Sequence, residues 1–144
     1  VYLLLTCSAA ILYGSEIFSK NGLLGILNSF VFLIFAMTLT IFIAVIAPSS
    51  NVVNMIANIV GLGMSFLCGV FVPQMLLSDT VLNVGKFLPA YWYVKANNML
   101  SGSNNEIFSN SKFFICIGIE IAFSVMLFCI TILAAKTKRS SKSV

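Results

Sequence analysis

Residues 23–46 read LLGILNSFVFLIFAMTLTIFIAVI, a run of 24 residues without a charged side chain. A helix rises about 1.5 Å per residue, so this run is long enough to cross a hydrocarbon core about 30 Å thick. Two further runs, at 52–72 and 113–135, have the same apolar character, and a shorter one at 1–13 predicts a partial span. The sequence therefore predicts an all-α, polytopic helical membrane protein. Because it opens without Met, we interpret it as the carboxyl-terminal part of something larger.

The composition excludes an ordinary soluble domain. Of 144 residues, 60% are hydrophobic and 8% are charged, and the mean hydropathy is +1.06. A soluble surface needs more charge than this, so the lipid bilayer is the expected environment. Four basic residues lie directly after the last span, at Lys136, Lys138, Arg139 and Lys142. A basic cluster in that position predicts a cytoplasmic tail at 136–144 rather than a nucleic-acid interface, so no nucleic-acid partner is expected.

The cysteines give no indication of a metal site. Cys7, Cys68, Cys116 and Cys129 lie inside apolar runs without CxxC spacing, and the chain contains no His. We interpret them as thiols buried in the membrane, with no metal, cofactor or disulfide role.

The segments between the spans predict the topology. Pro48 disfavours continued helix, and the short connection at 47–51 requires the spans on either side to pack as an antiparallel hairpin. The segment 73–112 contains apolar pieces that are too short to span, which predicts an outer helical hairpin that is re-entrant or lies at the interface. Tyr91, Trp92 and Tyr93 suit the depth of the lipid headgroups. With the tail inside, this segment and the turn at 14–22 lie outside.

Polar and small residues in the 52–72 span repeat at four-residue intervals. Gly61, Ser65 and Gly69 would share a helical face, which predicts close helix packing, with a role in lining a substrate path as the alternative. Asn54 and Asn58 would also share a face and are candidates for a substrate path or for hydrogen bonds to another helix.

Glu120 is the one acidic residue inside a predicted span. A carboxylate in the membrane is expensive unless it is paired, hydrated or protonated, so Glu120 is a functional candidate by default. The alternative is that it reaches water or hydrogen-bonds to Lys112 or to a polar residue of the 73–112 segment. Thr38 and Thr40 are expected to bond to carbonyls of their own helix.

Two motifs follow one another after the third apolar run, CGVFVP at 68–73 and KFLPAYW at 86–92. Gly69 permits close backbone approach, and Pro73 and Pro89 remove amide donors where a helix would otherwise continue. In this order and topology the motifs resemble the carboxyl-terminal half of a type 2 ATP-binding-cassette transporter permease. In that family a span ends in a Ser/Cys-Gly-hydrophobic-Phe-hydrophobic-Pro turn, and a Leu-Pro then precedes an aromatic pair.

The resemblance implies the permease subunit of an ATP-driven exporter that works by alternating access. It implies two protein partners, a nucleotide-binding ATPase subunit and a second permease subunit, identical or related. The chain lacks a G-x-x-x-x-G-K-[ST] phosphate loop, so ATP would be used by the partner and no cofactor would bind to this chain. The cargo would be a drug, peptide, lipid or polysaccharide. The resemblance also implies an outer gate that comprises Gly69, Phe71, Pro73, Pro89, Tyr91 and Trp92.

Other classes of membrane protein remain open at this point. A secondary transporter or channel without an ATPase would suit the apolar sequence and Glu120, but would be expected to show more intramembrane ionisable groups or a hydropathy repeat. A subunit that only anchors or senses for a partner is a further alternative. An intramembrane enzyme is disfavoured because the sequence has no HExxH, no GxSxG and no paired intramembrane aspartates. The abundance of Asn, Ile, Lys and Phe suggests a bacterial plasma membrane.

Overall fold

The computed structural model describes residues 19–101 and 110–141, and all regular structure within them is helical. The predicted partial span at 1–13, and most of the turn at 14–22, lie outside the described residues. The all-α prediction is confirmed. The elements are α1 (Lys20–Ile46), α2 (Ser50–Leu67), a short 3-10 turn (Gln74–Leu76), α3 (Asp79–Gly85), α4 (Pro89–Ser101) and α5 (Asn110–Ser141).

Three helices are long and apolar enough to cross a membrane, as expected: Lys20–Ile46, Ser50–Leu67 and Ser111–Arg139. Two of them differ from the predicted bounds. Helix α2 ends at Leu67 rather than at Val72, because the backbone of Gly69 turns to a φ of +92°. Helix α5 continues through the first part of the basic tail to Ser141. The protein is therefore a helical membrane protein, with a tail that begins as an extension of its last span.

Helices α1 and α5 run parallel and form the centre of the bundle. At one end, the Lys138 ammonium donates to the carbonyl oxygens of Val45 (2.6 Å) and Ala47 (3.4 Å). At the other end, Leu24 packs against a buried cluster that includes Phe113. These two contacts align the two long helices along their whole length.

Helix α2 follows α1 after a turn of three residues. Pro48 lies in this turn, and the N–H of Ala47 closes the last turn of α1 on the carbonyl of Ile43 at 2.9 Å. Ser49 caps α2 only through its backbone position, without a side-chain hydrogen bond. The two helices pack against each other, as a short connection requires.

Helices α3 and α4 lie in the segment predicted as a re-entrant or interfacial hairpin, and together they are called the hairpin below. Helix α4 lies against the Lys20 half of α1, and α3 contacts α2. Asn21, near the start of α1, donates to the carbonyl of Leu100 at 3.3 Å. The ring of Phe32, three turns further along α1, stacks on Tyr93 with centroids 4.5 Å apart. Helix α4 is therefore antiparallel to α1, and its Tyr93 lies beside a point about 18 Å along that helix from Lys20.

Candidate functional site

The turn after α2 is built around Gly69. Its φ of +92° lies in the left-handed region that glycine occupies most readily. A Cβ atom there would lie 2.5 Å from Gln74 Cγ and 3.3 Å from the backbone nitrogen of Gln74. Gly69 therefore lies outside α2, and the expectation that it shares a helical face with Gly61 and Ser65 is corrected: its role is to allow this turn.

The Gln74 side chain connects the turn to α4. Its side-chain nitrogen donates to the carbonyl oxygen of Cys68 at 2.9 Å and reaches that of Tyr91 at 3.4 Å. Its side-chain oxygen lies 3.5 Å from the amide nitrogen of Asn98, a weak contact. One amide thus connects the end of α2 with two turns of α4. The sequence analysis missed Gln74, although a Gln next to Pro73 in an apolar region was a detectable signal.

Pro89 and Tyr91 are buried at the start of α4, and Trp92 beside them is partly buried. Pro89 is the first residue of α4, where its missing N–H costs no helical hydrogen bond. Tyr91 is buried in a cluster with Cys68 and Ala90. The Trp92 ring nitrogen donates to the Lys86 carbonyl at 2.9 Å. The expectation that Tyr91 lies at headgroup depth stays a prediction, and protein surrounds its side chain.

The predicted gate residues divide into two groups. Through Gln74, the structure brings Gly69 and Cys68 together with the first turn of α4, which carries Pro89, Tyr91 and Trp92. Phe71 and Pro73 are exposed in the described chain. The Phe71 ring packs against Phe66, with centroids 5.0 Å apart.

The Cys68 thiol is fully buried at this junction. Burial raises the pKa of the Cys68 thiol to about 11, against an opposing effect from a backbone hydrogen bond to Tyr91. Cys68, Cys116 and Cys129 are free thiols. Across residues 19–101 and 110–141, no three His, Cys, Asp or Glu side chains are grouped so that they could hold a metal ion.

A second polar site lies between α1, α4 and α5. The side chain of Asn28 in α1 is completely buried. Its amide nitrogen donates to the carbonyl oxygen of Tyr93 at 3.1 Å and to the side-chain oxygen of Asn97 at 3.0 Å. The Tyr93 hydroxyl lies 3.4 Å from the Ser29 hydroxyl. The sequence analysis passed over Asn28 and Asn97; an amide in the middle of a long apolar run was the signal for the first.

Glu120 in α5 is also completely buried. Among residues 19–101 and 110–141, neither of its carboxylate oxygens has a hydrogen-bond partner, and the side-chain oxygen of Asn28 lacks one too. The alternative that Glu120 reaches water or a polar partner stays a prediction, and no bond to Lys112 is present in this part of the chain. Ser124, one turn further along α5, donates to the Glu120 backbone carbonyl at 2.9 Å and leaves the carboxyl group untouched.

Asn28 and Glu120 lie at the same level of the parallel α1–α5 pair. Glu120 precedes Lys138 by 18 residues, and Asn28 precedes Ala47, a Lys138 contact, by 19 residues. Asn28 shares a face of α1 with Val31, and Glu120 shares a face of α5 with Ile117. Val31 and Ile117 belong to one buried cluster, so the two polar faces are turned toward the same interior.

Helix α2 leaves its polar face uncovered by the described residues. Asn54, Asn58 and Gly61 are exposed, and α2 contains no buried residue. A Cβ atom on Gly61 would meet nothing within 4 Å. The Ser65 hydroxyl bonds to the carbonyl of Gly61 in its own helix at 2.8 Å. The predicted packing role of Gly61 and Ser65, and the predicted polar role of Asn54 and Asn58, stay predictions.

The other membrane hydroxyls satisfy themselves locally. Thr38 donates to the Ile34 carbonyl and Thr40 to the Ala36 carbonyl, each at 2.8 Å, which confirms the expectation for both. Thr131 does the same with Leu127 at 2.7 Å. The side chains of Asn28 and Glu120 differ from these three in carrying buried oxygens that no local bond uses.

Comparison with known proteins gives no family assignment: no family model matches the sequence, and no curated protein or solved structure matches it.

Proposed function

We propose that this chain belongs to the permease subunit of an ATP-driven exporter. The observation that supports this most is the junction held by Gln74, where α2 ends in the Gly69 turn and is tied to α4. The same residues carry the sequence resemblance to type 2 ATP-binding-cassette permeases. A permease needs a closure that excludes water on one side of its path, and α4, which packs on α1 and α5 as well as on α2, would form part of such a closure.

A second permease subunit, identical or related, would cover α2. Asn54 and Asn58 are amides in an apolar span, and amides that face lipid are unfavourable because lipid offers them no hydrogen bond. Gly61 lies on the same helix, where a Cβ atom would meet none of the described residues within 4 Å, and small residues allow two helix backbones to approach closely. The substrate path would run along this interface between subunits. The cargo would be a drug, peptide, lipid or polysaccharide.

Energy would come from a nucleotide-binding ATPase subunit or domain. ATP binding there would shift the equilibrium between inward-open and outward-open states of the permease pair. The basic residues at the end of α5 support a cytoplasmic carboxyl terminus in a bacterial plasma membrane, by the positive-inside tendency. A reporter that is active only in the cytoplasm, fused after Val144, would test this orientation.

Purification of the full-length protein in mild detergent tests the proposal directly. We expect an ATPase to be present in stoichiometric amount, either as a subunit or in the same chain, and we expect ATP turnover to depend on the permease. Absence of any nucleotide-binding domain would overturn the proposal.

Cross-linking tests the subunit interface separately. In a background without native cysteines, Asn58→Cys should form a disulfide between subunits in the membrane. Phe128→Cys is the matched control, because Phe128 is exposed on α5 and should face lipid. Equal cross-linking at both positions would contradict an interface along α2.

A secondary transporter without an ATPase is the second candidate, and the buried carboxyl group of Glu120 favours it. Such a transporter would move its cargo in vesicles under an ion gradient alone, without ATP. The exporter would need ATP in the same assay.

A further inference from the structure

We propose that Glu120 is a proton-binding site inside the membrane, and that its protonated carboxyl group donates a hydrogen bond to the side-chain oxygen of Asn28. This inference does not depend on the proposed function, because it rests on the packing between α1 and α5. The exporter, the secondary transporter and an anchoring subunit would each accommodate it.

The side chains of Glu120 and Asn28 are both completely buried. Three oxygen atoms, two on Glu120 and one on Asn28, are buried without a donor among the described residues. An ionised carboxylate in such a place would lack both water and a counter-charge, which is far more costly than burying a neutral acid. A proton on Glu120 removes the charge and supplies the missing donor.

A charge on Glu120 could be compensated only by charged or polar groups on the helices that surround it. Helices α1 and α4 pack against α5. On α1 the one charged residue is Lys20, two turns from Asn28 toward the start of the helix. On α4 the ammonium of Lys95 lies 5.8 Å over the Trp92 ring, and the Tyr93 hydroxyl reaches Ser29. Tyr91 is held in the Cys68 cluster.

The remaining titratable groups near this part of α5 lie on α5 itself. Lys112 is exposed two turns before Glu120, and the buried thiol of Cys116 lies one turn before it. None of these groups on the three helices hydrogen-bonds to the Glu120 carboxyl. The amide nitrogen of Asn28 already donates to two oxygens of α4. Its side-chain oxygen is left to accept a hydrogen bond from Glu120.

The burial of the Glu120 carboxyl group limits the size of the ligand that it could bind. Glu120 has no exposed surface, and an organic cation would need a cavity at the carboxyl group. A proton needs none. A crevice of about 200 Å³ between α4 and α5 reaches Cys116, one turn away from Glu120, and Lys95 and Lys112 line it. Water in this crevice would bring protons to within one helical turn of the site.

Infrared spectroscopy of the full-length protein in vesicles of phosphatidylethanolamine and phosphatidylglycerol tests the site. At neutral pH, the spectrum of wild type minus that of Glu120→Gln should contain the C=O stretch of one protonated carboxylic acid. Asn28→Leu should shift this band because it removes the acceptor. Asp79→Asn is the control: Asp79 is exposed at the start of α3, away from α1 and α5, and its removal should leave this acid band unchanged.

Two results would overturn the proposal. One is a carboxylate stretch from Glu120 at neutral pH in place of the acid band. The other is an ionised Glu120 that depends on sodium, seen when sodium is exchanged for N-methylglucamine, which would assign the site to a metal cation.

A second measurement keeps the test valid if Glu120→Gln does not fold. Wild type labelled with ¹³C at the glutamate carboxyl groups reports on glutamates alone, and the sequence has three, Glu16, Glu106 and Glu120. One protonated carboxyl signal should persist at neutral pH and disappear on alkaline titration. Complete ionisation of all labelled carboxyls at neutral pH would contradict the site.

Discussion

The side-chain nitrogen of Asn28 in α1 donates to the side-chain oxygen of Asn97 in α4 at 3.0 Å. The same nitrogen donates to the Tyr93 carbonyl, so one buried amide holds α4 against α1. Few other polar contacts join these helices, and the rest of the interface is apolar packing around Val31 and Met99. This amide therefore fixes the position of α4 along α1.

Replacement of Asn28 should loosen the hairpin more than replacement of Asn97. Asn28→Leu removes both donor contacts and should destabilise the fold by about 1–2 kcal/mol, whereas Asn97→Leu removes one acceptor and should cost about 0.6 kcal/mol. Thermal unfolding in detergent would measure both variants. The matched control is Asn58→Leu, because Asn58 is exposed on α2 and should have little effect within one subunit. Equal losses from Asn28→Leu and Asn58→Leu would show that the amide contacts carry no stability.

The turn after α2 should not tolerate a side chain at position 69. Gly69→Ala places a methyl group 2.5 Å from Gln74 Cγ at a φ of +92°, so we expect a loss of about 1–3 kcal/mol. Gly63→Ala is the control within α2, where a Cβ meets nothing within 4 Å and alanine favours helix by about 0.5–1 kcal/mol. The two variants should thus change the unfolding temperature in opposite directions. A stable Gly69→Ala protein would contradict the tight turn.

The thiol of Cys68 should make stability fall at alkaline pH. Burial raises its pKa from 9.0 to about 11 in the folded protein, so its contribution to stability is complete below pH 9 and is lost as the pH rises toward 11. The unfolding temperature of wild type should therefore fall in this window more than that of Cys68→Ala. Identical pH profiles of the two proteins would argue against a buried thiol.

Gln74 should protect Cys68 from reagents. Its amide lies across the junction, bonded to the Cys68 carbonyl at 2.9 Å, so Gln74→Ala should open the packing around the thiol. We expect hydrophilic maleimides to label Cys68 slowly at pH 8 in wild type and at least several-fold faster in Gln74→Ala. Gln74→Glu is a useful companion, because it keeps the shape but loses the donor. Labelling at equal rates in wild type and both variants would rule out this protection.

The three long apolar helices of the described residues could be predicted from the sequence because they depend on apolar length alone. The short helices α3 and α4 were also predictable, since Pro73 and Pro89 interrupt runs too short to span. The end of α2 was predicted five residues too late. The apolar run continues through Val70 and Phe71, but the helix ends just before Gly69, where the backbone φ becomes positive.

The polar contacts could not be predicted in the same way. Glu120 was a candidate from its type and position. Its burial without a donor depends on how α1 aligns with α5, and the residues that meet there are about ninety positions apart in sequence. Asn28, Gln74 and Asn97 bond across elements, and no local spacing indicates their partners. Tyr91 resembled an interfacial aromatic by sequence, and only the packing of α4 on α2 shows that it is buried.

Lys138 should stabilise the parallel α1–α5 pair through the end of α1. Its ammonium donates to the carbonyls of Val45 and Ala47, which have no partner further along the helix, and a cation is favourable at a helix carboxyl terminus. Lys138→Met should lower stability by about 0.5 kcal/mol in thermal unfolding at low salt. Lys136→Met is the matched control, since it removes the same charge from a neighbouring exposed position. A loss in Lys138→Met that is matched by Lys136→Met would show that the total charge of the tail, and not this contact, stabilises the helix end.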